Sequence, residues 1–199
     1  MTLQTIGRAI VTMAALLTAG SAFAAGAFMQ TSGRTSQPIG HYEMCRRAPD
    51  ECRQRSSMPG PVIMTPKLWS VVSRINSEVN GDYRPMTDWE MWGEEEVWSY
   101  PVAGADCEDF VLEKRRRLMK LGIPRGDLLI TVLRQANGDG HAVLTLKTSV
   151  GDYVLDNLEP RIKIWSATSY TYLKRQSERD SGVWLSINDG RADAVASVR

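Results

Sequence analysis

Between Asp106 and Asn157 the chain passes from one strongly amphipathic segment into three strand-like ones, a succession that demands a fold in which a helix packs on a sheet. From Asp106 to Leu121, apolar side chains recur at Phe110, Val111, Leu118 and Leu121 with Cys107 on the same stripe, while Glu113, Arg115, Arg116 and Lys120 are free to face water. Gly122-Ile123-Pro124 stops that helix. Leu128 to Arg134 then reads as a strand, Asn137-Gly138-Asp139-Gly140 as a turn, His141 to Lys147 as a second strand and Tyr153 to Asn157 as a third. Arg161 to Trp165 and Val183 to Ile187 add strands, joined by a mixed polar segment from Tyr170 to Arg179. Upstream, Thr65 is a good N-cap, Pro66 suits the first helical position, and Leu68, Val72, Ile75 and Val79 keep helical spacing until Gly81. The expected fold class is α+β, with N-terminal helices packed on a mainly antiparallel sheet.

The start of the chain carries Arg8, an apolar run from Ala9 to Leu17 and the small-x-small triplet Ala22-Phe23-Ala24, the pattern of a secretory leader over residues 1–24. That apolar run is too short to span a bilayer, so the expected product is periplasmic or secreted. Residues 25–40 read as a flexible lead-in, 41–187 as the domain and 188–199 as a tail. A formal net charge of +1, with basic and acidic residues interspersed, argues against nucleic acid as a partner. The run Lys114 to Arg117 reads as a solvated helix face.

Export changes the meaning of the cysteines. Cys45 and Cys52, with six residues between them, are expected to pair in an oxidising compartment; the rival is metal ligation, for which His41 makes an incomplete set. Cys107 is left over, either a small buried hydrophobe or a used thiol. It falls in the first turn of its helix, where free backbone N–H groups and the helix dipole favour a thiolate.

A cysteine nucleophile needs a base and a group to orient that base. His41 lies in the cystine loop, whereas His141 opens a strand beside one that carries Asp156. His141, Val143 and Thr145 share a face, as do Asp152, Val154 and Asp156. A turn centred on Gly151-Asp152 would set Asp156 opposite Lys147; one centred on Thr148-Ser149 sets it directly opposite His141. Gly-Asp is the better turn pair, but the second register assembles Cys107, His141 and Asp156, and it is the one adopted. No cofactor is required for such chemistry. The stretch Gly81 to Ala105 is long and aromatic, and Trp98 within it is a candidate wall of a substrate cleft or, equally, core packing.

The stretches Asp106-Cys107-Glu108-Asp109-Phe110, Leu121-Gly122-Ile123-Pro124, His141-Ala142-Val143-Leu144 and Val154-Leu155-Asp156-Asn157 resemble the bacterial transglutaminase-like cysteine peptidases, over roughly His41 to Ile187. The resemblance implies a papain-like, transglutaminase-type core, the same three catalytic residues, and calcium held by the acidic residues flanking the cysteine, here Asp106 and Glu108. It also implies a protein substrate such as a surface adhesin and a membrane receptor that sequesters the enzyme. One departure is visible: the family usually has glycine before the Asp-Cys pair, and here the residue is Ala105. The expected function is an exported cysteine endopeptidase acting through an acyl-thioester. The alternatives are transglutaminase or deamidase chemistry on glutamine side chains, and a non-catalytic binding protein that uses the aromatic stretch.

Overall fold

A computed structural model describes residues 26–55 and 60–189. The proposed leader, and residues 190–199 of the expected tail, lie outside them. Among the described residues the elements run β1 (Thr31–Thr35), α1 (Ile39–Arg47), α2 (Pro66–Asp82), β2 (Arg84–Pro85), α3 (Asp88–Trp92), β3 (Gly104–Ala105) and α4 (Cys107–Lys120). Then follow β4 (Leu128–Arg134), β5 (Gly140–Thr148), β6 (Gly151–Leu155), β7 (Lys163–Ile164), β8 (Thr171–Gln176) and β9 (Trp184–Ile187). Seven strands form one sheet in the order β1-β9-β8-β4-β5-β6-β7, every pair antiparallel. The expected α+β architecture is the observed one.

Alternation along the strands divides the core between the two faces of the sheet. Leu128, Ile130, Ala142, Leu144, Leu146 and Leu155 meet Phe110, Val111 and Leu118 of α4 and Val72, Ile75 and Val79 of α2. On the other face Leu133, Val143, Val154, Tyr172 and Ile187 are covered by Met29 and Trp165. Local chemistry sets the ends of these elements. The Thr65 hydroxyl accepts from Leu68 N–H at 3.2 Å to start α2, and Gly138 takes a positive φ of 94° in the β4–β5 turn.

Several segments depart from the expectation. Residues 25–40 were expected as a flexible lead-in, yet β1 pairs with β9 and α1 begins at Ile39. β1 is a largely exposed edge strand held by its main chain, so it has no apolar period to read. Asn188 and Asp189, assigned to a frayed tail, also belong to the fold: Asn188 N–H donates to Gln30 O, and buried Asp189 accepts from Tyr172 N–H at 2.7 Å. β8 occupies what had been a polar connection. The β4–β8 register shifts between Val132 and Leu133, which breaks the alternation that marks a strand.

The largest departure concerns α4. Lys114 and Arg115, expected on a solvated face, are 0% and 1% exposed, whereas Leu121, expected on the buried stripe, is 55% exposed. α4 has neighbours on more than one side: the sheet, α2, and the short helical turn Pro49–Glu51 that follows α1. That turn is tied back to α1 by the expected disulfide between Cys45 and Cys52. Glu51 gathers Arg115 Nη2 at 3.3 Å, Arg125 Nη2 at 2.8 Å and the Tyr100 hydroxyl at 2.8 Å. Removing this carboxylate strands a buried guanidinium, a defect that costs about 3–5 kcal/mol when complete. Arg115 keeps its bond to Gln176 Oε1, and Glu51 is partly exposed, so Glu51→Ala is expected near the lower end of that range, as a fall in urea-unfolding free energy with unchanged m-value.

Candidate active site

β2 and β3 decide where α4 begins. They form a two-stranded parallel ladder, Arg84 beside Gly104 and Pro85 beside Ala105, and Met86 N–H donates to Ala105 O at 2.9 Å. A Cβ at Gly104 would press on the Met86 side chain, with its sulfur 2.5 Å away, so the close approach falls at Gly104. Ala105 is fully buried, and among the described residues the positive-φ non-glycine is Glu96, so alanine at 105 carries no backbone strain. Asp106 follows at the N-cap without a capping hydrogen bond from its side chain, and Cys107, a free and half-buried thiol, opens the helix.

His141 and Asp156 are brought together, although by neither anticipated register. Gly151 has φ 147°, the Thr148 hydroxyl donates to Gly151 O at 2.7 Å, and the pairing Thr148–Gly151 centres the turn on Ser149-Val150. Continuing from Leu144–Leu155, Asp156 falls beside Val143, two residues from His141 along the same face. The diagonal is within side-chain reach. His141 Nε2 lies 2.8 Å from Asp156 Oδ1, both side chains nearly fully buried. Leu158 N–H donates to the same oxygen at 2.9 Å, the Tyr170 hydroxyl donates to Oδ2 at 2.6 Å, and Asn80 of α2 donates to the Asp156 carbonyl at 2.8 Å. Burial pushes the Asp156 carboxyl up, but the hydrogen bonds and charge of its partners outweigh that and hold it below the usual range.

With Nε2 committed to Asp156, the other ring nitrogen of His141, Nδ1, is the one left for proton exchange. Cys107 and His141 together border two hollows. The larger, about 500 Å³, is walled by Ile39, Trp98, Val132 and Lys174; the other, about 340 Å³, by Met86, Thr87, Gln135, Asn157 and Leu158. Trp98 is packed in the core and also borders the larger hollow. It is 3% exposed, its ring edge-on to His41 at 5.4 Å and Trp184 at 6.3 Å.

His41 is excluded from this site. It is fully buried, its Nδ1 accepts from Trp184 Nε1 at 3.2 Å, and burial together with Arg115 and Arg125 lowers its pKa to about 3, so it stays neutral. It stands beside Cys45 and Cys52, but their sulfurs are consumed in the disulfide and are not available as thiolate ligands.

The thiol sits among carboxylates. Cys107 Sγ donates to Glu108 Oε2 at 3.2 Å, and burial, then the charge of Glu108, push its pKa well above the ordinary thiol value. Burial lifts Asp106 to about 6, and burial followed by the charge of Asp106 lifts Glu108. Asp88 of α3 joins them: Asp88, Asp106 and Glu108 each offer an oxygen within 4.8 Å of the others. Asp88 Oδ1 and Asp106 Oδ1 are buried without a protein partner. Three converging carboxylates with unsatisfied oxygens fit a hard divalent cation such as calcium. Of the three carboxylates in this cluster the sequence singles out Asp106 and Glu108 but not Asp88. The available signal was the box Thr87-x-x-Glu90, which caps α3 through both side chains and marks Asp88 as the first helical residue.

Residues 31–192 match the family described as bacterial transglutaminase-like cysteine proteinase, BTLCP. Among solved structures, calcium-bound LapG of Legionella pneumophila superposes with TM-score 0.52 and 26% identity, covering 59% of this chain and 68% of that chain. Two further LapG structures from the same organism, one of them EGTA-treated, give TM-scores of 0.51 at 26% identity, covering 65% and 64% of this chain and 75% and 77% of theirs. No curated protein matches.

Next to this cluster, Asp109 is fully buried; burial lifts its pKa to about 8, and only Oδ1 has a partner, Ser99 N–H at 2.7 Å. A carboxyl with a folded pKa above its unfolded value of about 3.9 stabilises the fold below that value and loses the contribution as pH rises through the folded one. Asp109→Asn keeps the Ser99 bond and cannot ionise. Its melting temperature relative to the parent, measured without calcium, should be near parity at pH 4 and rise toward pH 8, by then reflecting more than about 1 kcal/mol.

Proposed function

Because the chain belongs to the bacterial transglutaminase-like cysteine proteinases, we propose that this cysteine peptidase is an exported endopeptidase whose catalytic residues are Cys107, His141 and Asp156. The observation that carries the proposal is a His141–Asp156 pair at 2.8 Å which, with the free thiol of Cys107, borders hollows on two sides. Two flanking hollows suit an extended polypeptide held on both sides of the bond to be cut. They are more than a single glutamine side chain would need.

In the proposed reaction the Cys107 thiol passes its proton to His141 Nδ1 as sulfur attacks the peptide carbonyl carbon. Asp156 holds the ring through Nε2 and stabilises the imidazolium. Backbone N–H groups at the start of α4, which have no carbonyl partner within the helix, are available to the oxyanion. Collapse of the tetrahedral intermediate breaks the C–N bond, and His141 returns the proton to the departing amine. Water then attacks the thioester, giving up a proton to His141, and the acid product leaves as the thiol is restored.

We further propose that Asp88, Asp106 and Glu108 hold calcium, in keeping with the calcium-bound LapG relative. A cation there would neutralise the carboxylates that oppose ionisation of the adjacent thiol. The substrate we propose is an exported protein, such as a surface adhesin, with a membrane receptor as a regulatory partner. These last two rest on the family resemblance and on the leader-like start of the chain.

His141→Ala and Cys107→Ser should each lower cleavage of an unfolded protein substrate by about 10²–10⁴-fold. Mass spectrometry identifies the reaction: two fragments for a peptidase, against a one-dalton shift or a summed mass for glutamine chemistry. Iodoacetamide labelling of Cys107 should slow in parallel in His141→Ala. Labelling and cleavage that ignore His141 would overturn the assignment. Asp88→Asn should weaken calcium binding measured by calorimetry while leaving the disulfide and the fold intact.

A further inference from the structure

Asp156 is almost wholly out of contact with water, so each of its oxygens must find its partners inside the protein. Oδ1 has two donors, His141 Nε2 and Leu158 N–H, whereas Oδ2 has the Tyr170 hydroxyl at 2.6 Å. The Tyr170 ring also meets the His141 imidazole edge-on, with centroids 5.8 Å apart and planes at 62°. One side chain therefore touches both the base and the carboxylate that orients it, from the segment entering β8 and on the far side of Asp156 from the helices. Tyr170 does not border either of the hollows shared by Cys107 and His141.

We propose that Tyr170 is a positioning residue of the triad, acting through the second oxygen of Asp156; the inference rests on the triad assignment above. A 2.6 Å O–H···O⁻ bond lies in the range of charge-assisted hydrogen bonds. It fixes the carboxylate plane so that Oδ1 stays aimed at Nε2, and by sharing the negative charge it keeps Asp156 ionised to lower pH. The phenol remains a donor throughout, because burial and the adjacent carboxylate push its own ionisation well above the usual tyrosine value. The other charged groups around Asp156 do not replace it. Lys114 of α4 exerts a charge attraction with no hydrogen bond, while Glu159, Arg161 and Lys163 line a cavity of about 90 Å³ beside Tyr170 and are paired among themselves.

The chain has two histidines, so both imidazoles can be followed by NMR in the mature protein, with buried neutral His41 as an internal control of the fold. In Tyr170→Phe, which keeps the ring, the low-field proton of the His141–Asp156 bond should vanish on acidification about one pH unit earlier than in the parent. Iodoacetamide labelling of Cys107 at pH 7 should fall about ten-fold, the scale of one charge-assisted hydrogen bond. In an Asp156→Asn background, removing the hydroxyl should change the labelling rate by less than about two-fold. An equal ten-fold loss there, or a Tyr170→Phe protein that labels and titrates like the parent, would make Tyr170 a packing residue and overturn the inference. Failure of the triad itself would look different: the parent would label at a rate insensitive to His141→Ala.

Discussion

Everything at the site depends on the burial of α4 from Glu108 to Arg115. A helix packed on one face only can rock and slide, and its first residue moves with it. Here the sheet, α2 and the turn that carries Glu51 hold α4 from several directions, so the thiol at its N-terminus is placed by the core itself. The requirement falls on the middle of the helix: Lys114 and Arg115 have to be taken out of water. Arg115 is compensated by Glu51 and Gln176. Lys114 has no hydrogen-bond partner, and burial lowers its pKa to about 7, with Asp156 the nearby charge that acts against the shift. The chain thus keeps a buried amine of lowered basicity within electrostatic reach of the Asp156 carboxylate.

Two electrostatic environments meet at Cys107. On the His141 side stands the Asp156 carboxylate, satisfied by three hydrogen bonds and held ionised by them. On the Asp106–Glu108 side, crowded carboxylates with unsatisfied oxygens favour a neutral thiol. Burial strengthens both, because neither set of charges is screened by water. The ionisation of the Cys107 thiol is therefore sensitive to whatever neutralises the acidic side, and the three carboxylates form a donor set that suits a divalent cation.

Much of this was legible in the sequence where one local rule sufficed. The capping of α2, the stop after α4, the glycine turn before His141 and the cystine each follow from a few adjacent residues. What was not legible depended on partners distant along the chain. The face of α4 bearing Lys114 and Arg115 reads as solvated until Glu51, sixty-four positions away from Arg115, is seen beneath it. β1 is held by main-chain pairing and leaves no mark in its side chains. Asp88 converges on Asp106 only because a loop folds back. The register adopted from the sequence, with its turn on Thr148-Ser149, falls one residue short: the Thr148 side chain and the left-handed freedom of Gly151 centre the turn on Ser149-Val150, two residues before the Gly151-Asp152 turn that dipeptide preferences favour.

That hairpin also limits how relatives of this chain can vary. His141 and Asp156 sit on opposite arms of one β5–β6 turn, and side chains alternate faces with each residue. A residue added between Thr148 and Gly151 leaves Asp156 in place if the loop absorbs it and the β5–β6 pairing is kept, but if a two-residue turn re-forms instead, the register slips by one and Asp156 turns to the other side of the sheet. Surface loops ordinarily drift in length without penalty. Here a change in length is compatible with the His141–Asp156 contact only where the loop, and not the ladder of paired strands, takes it up.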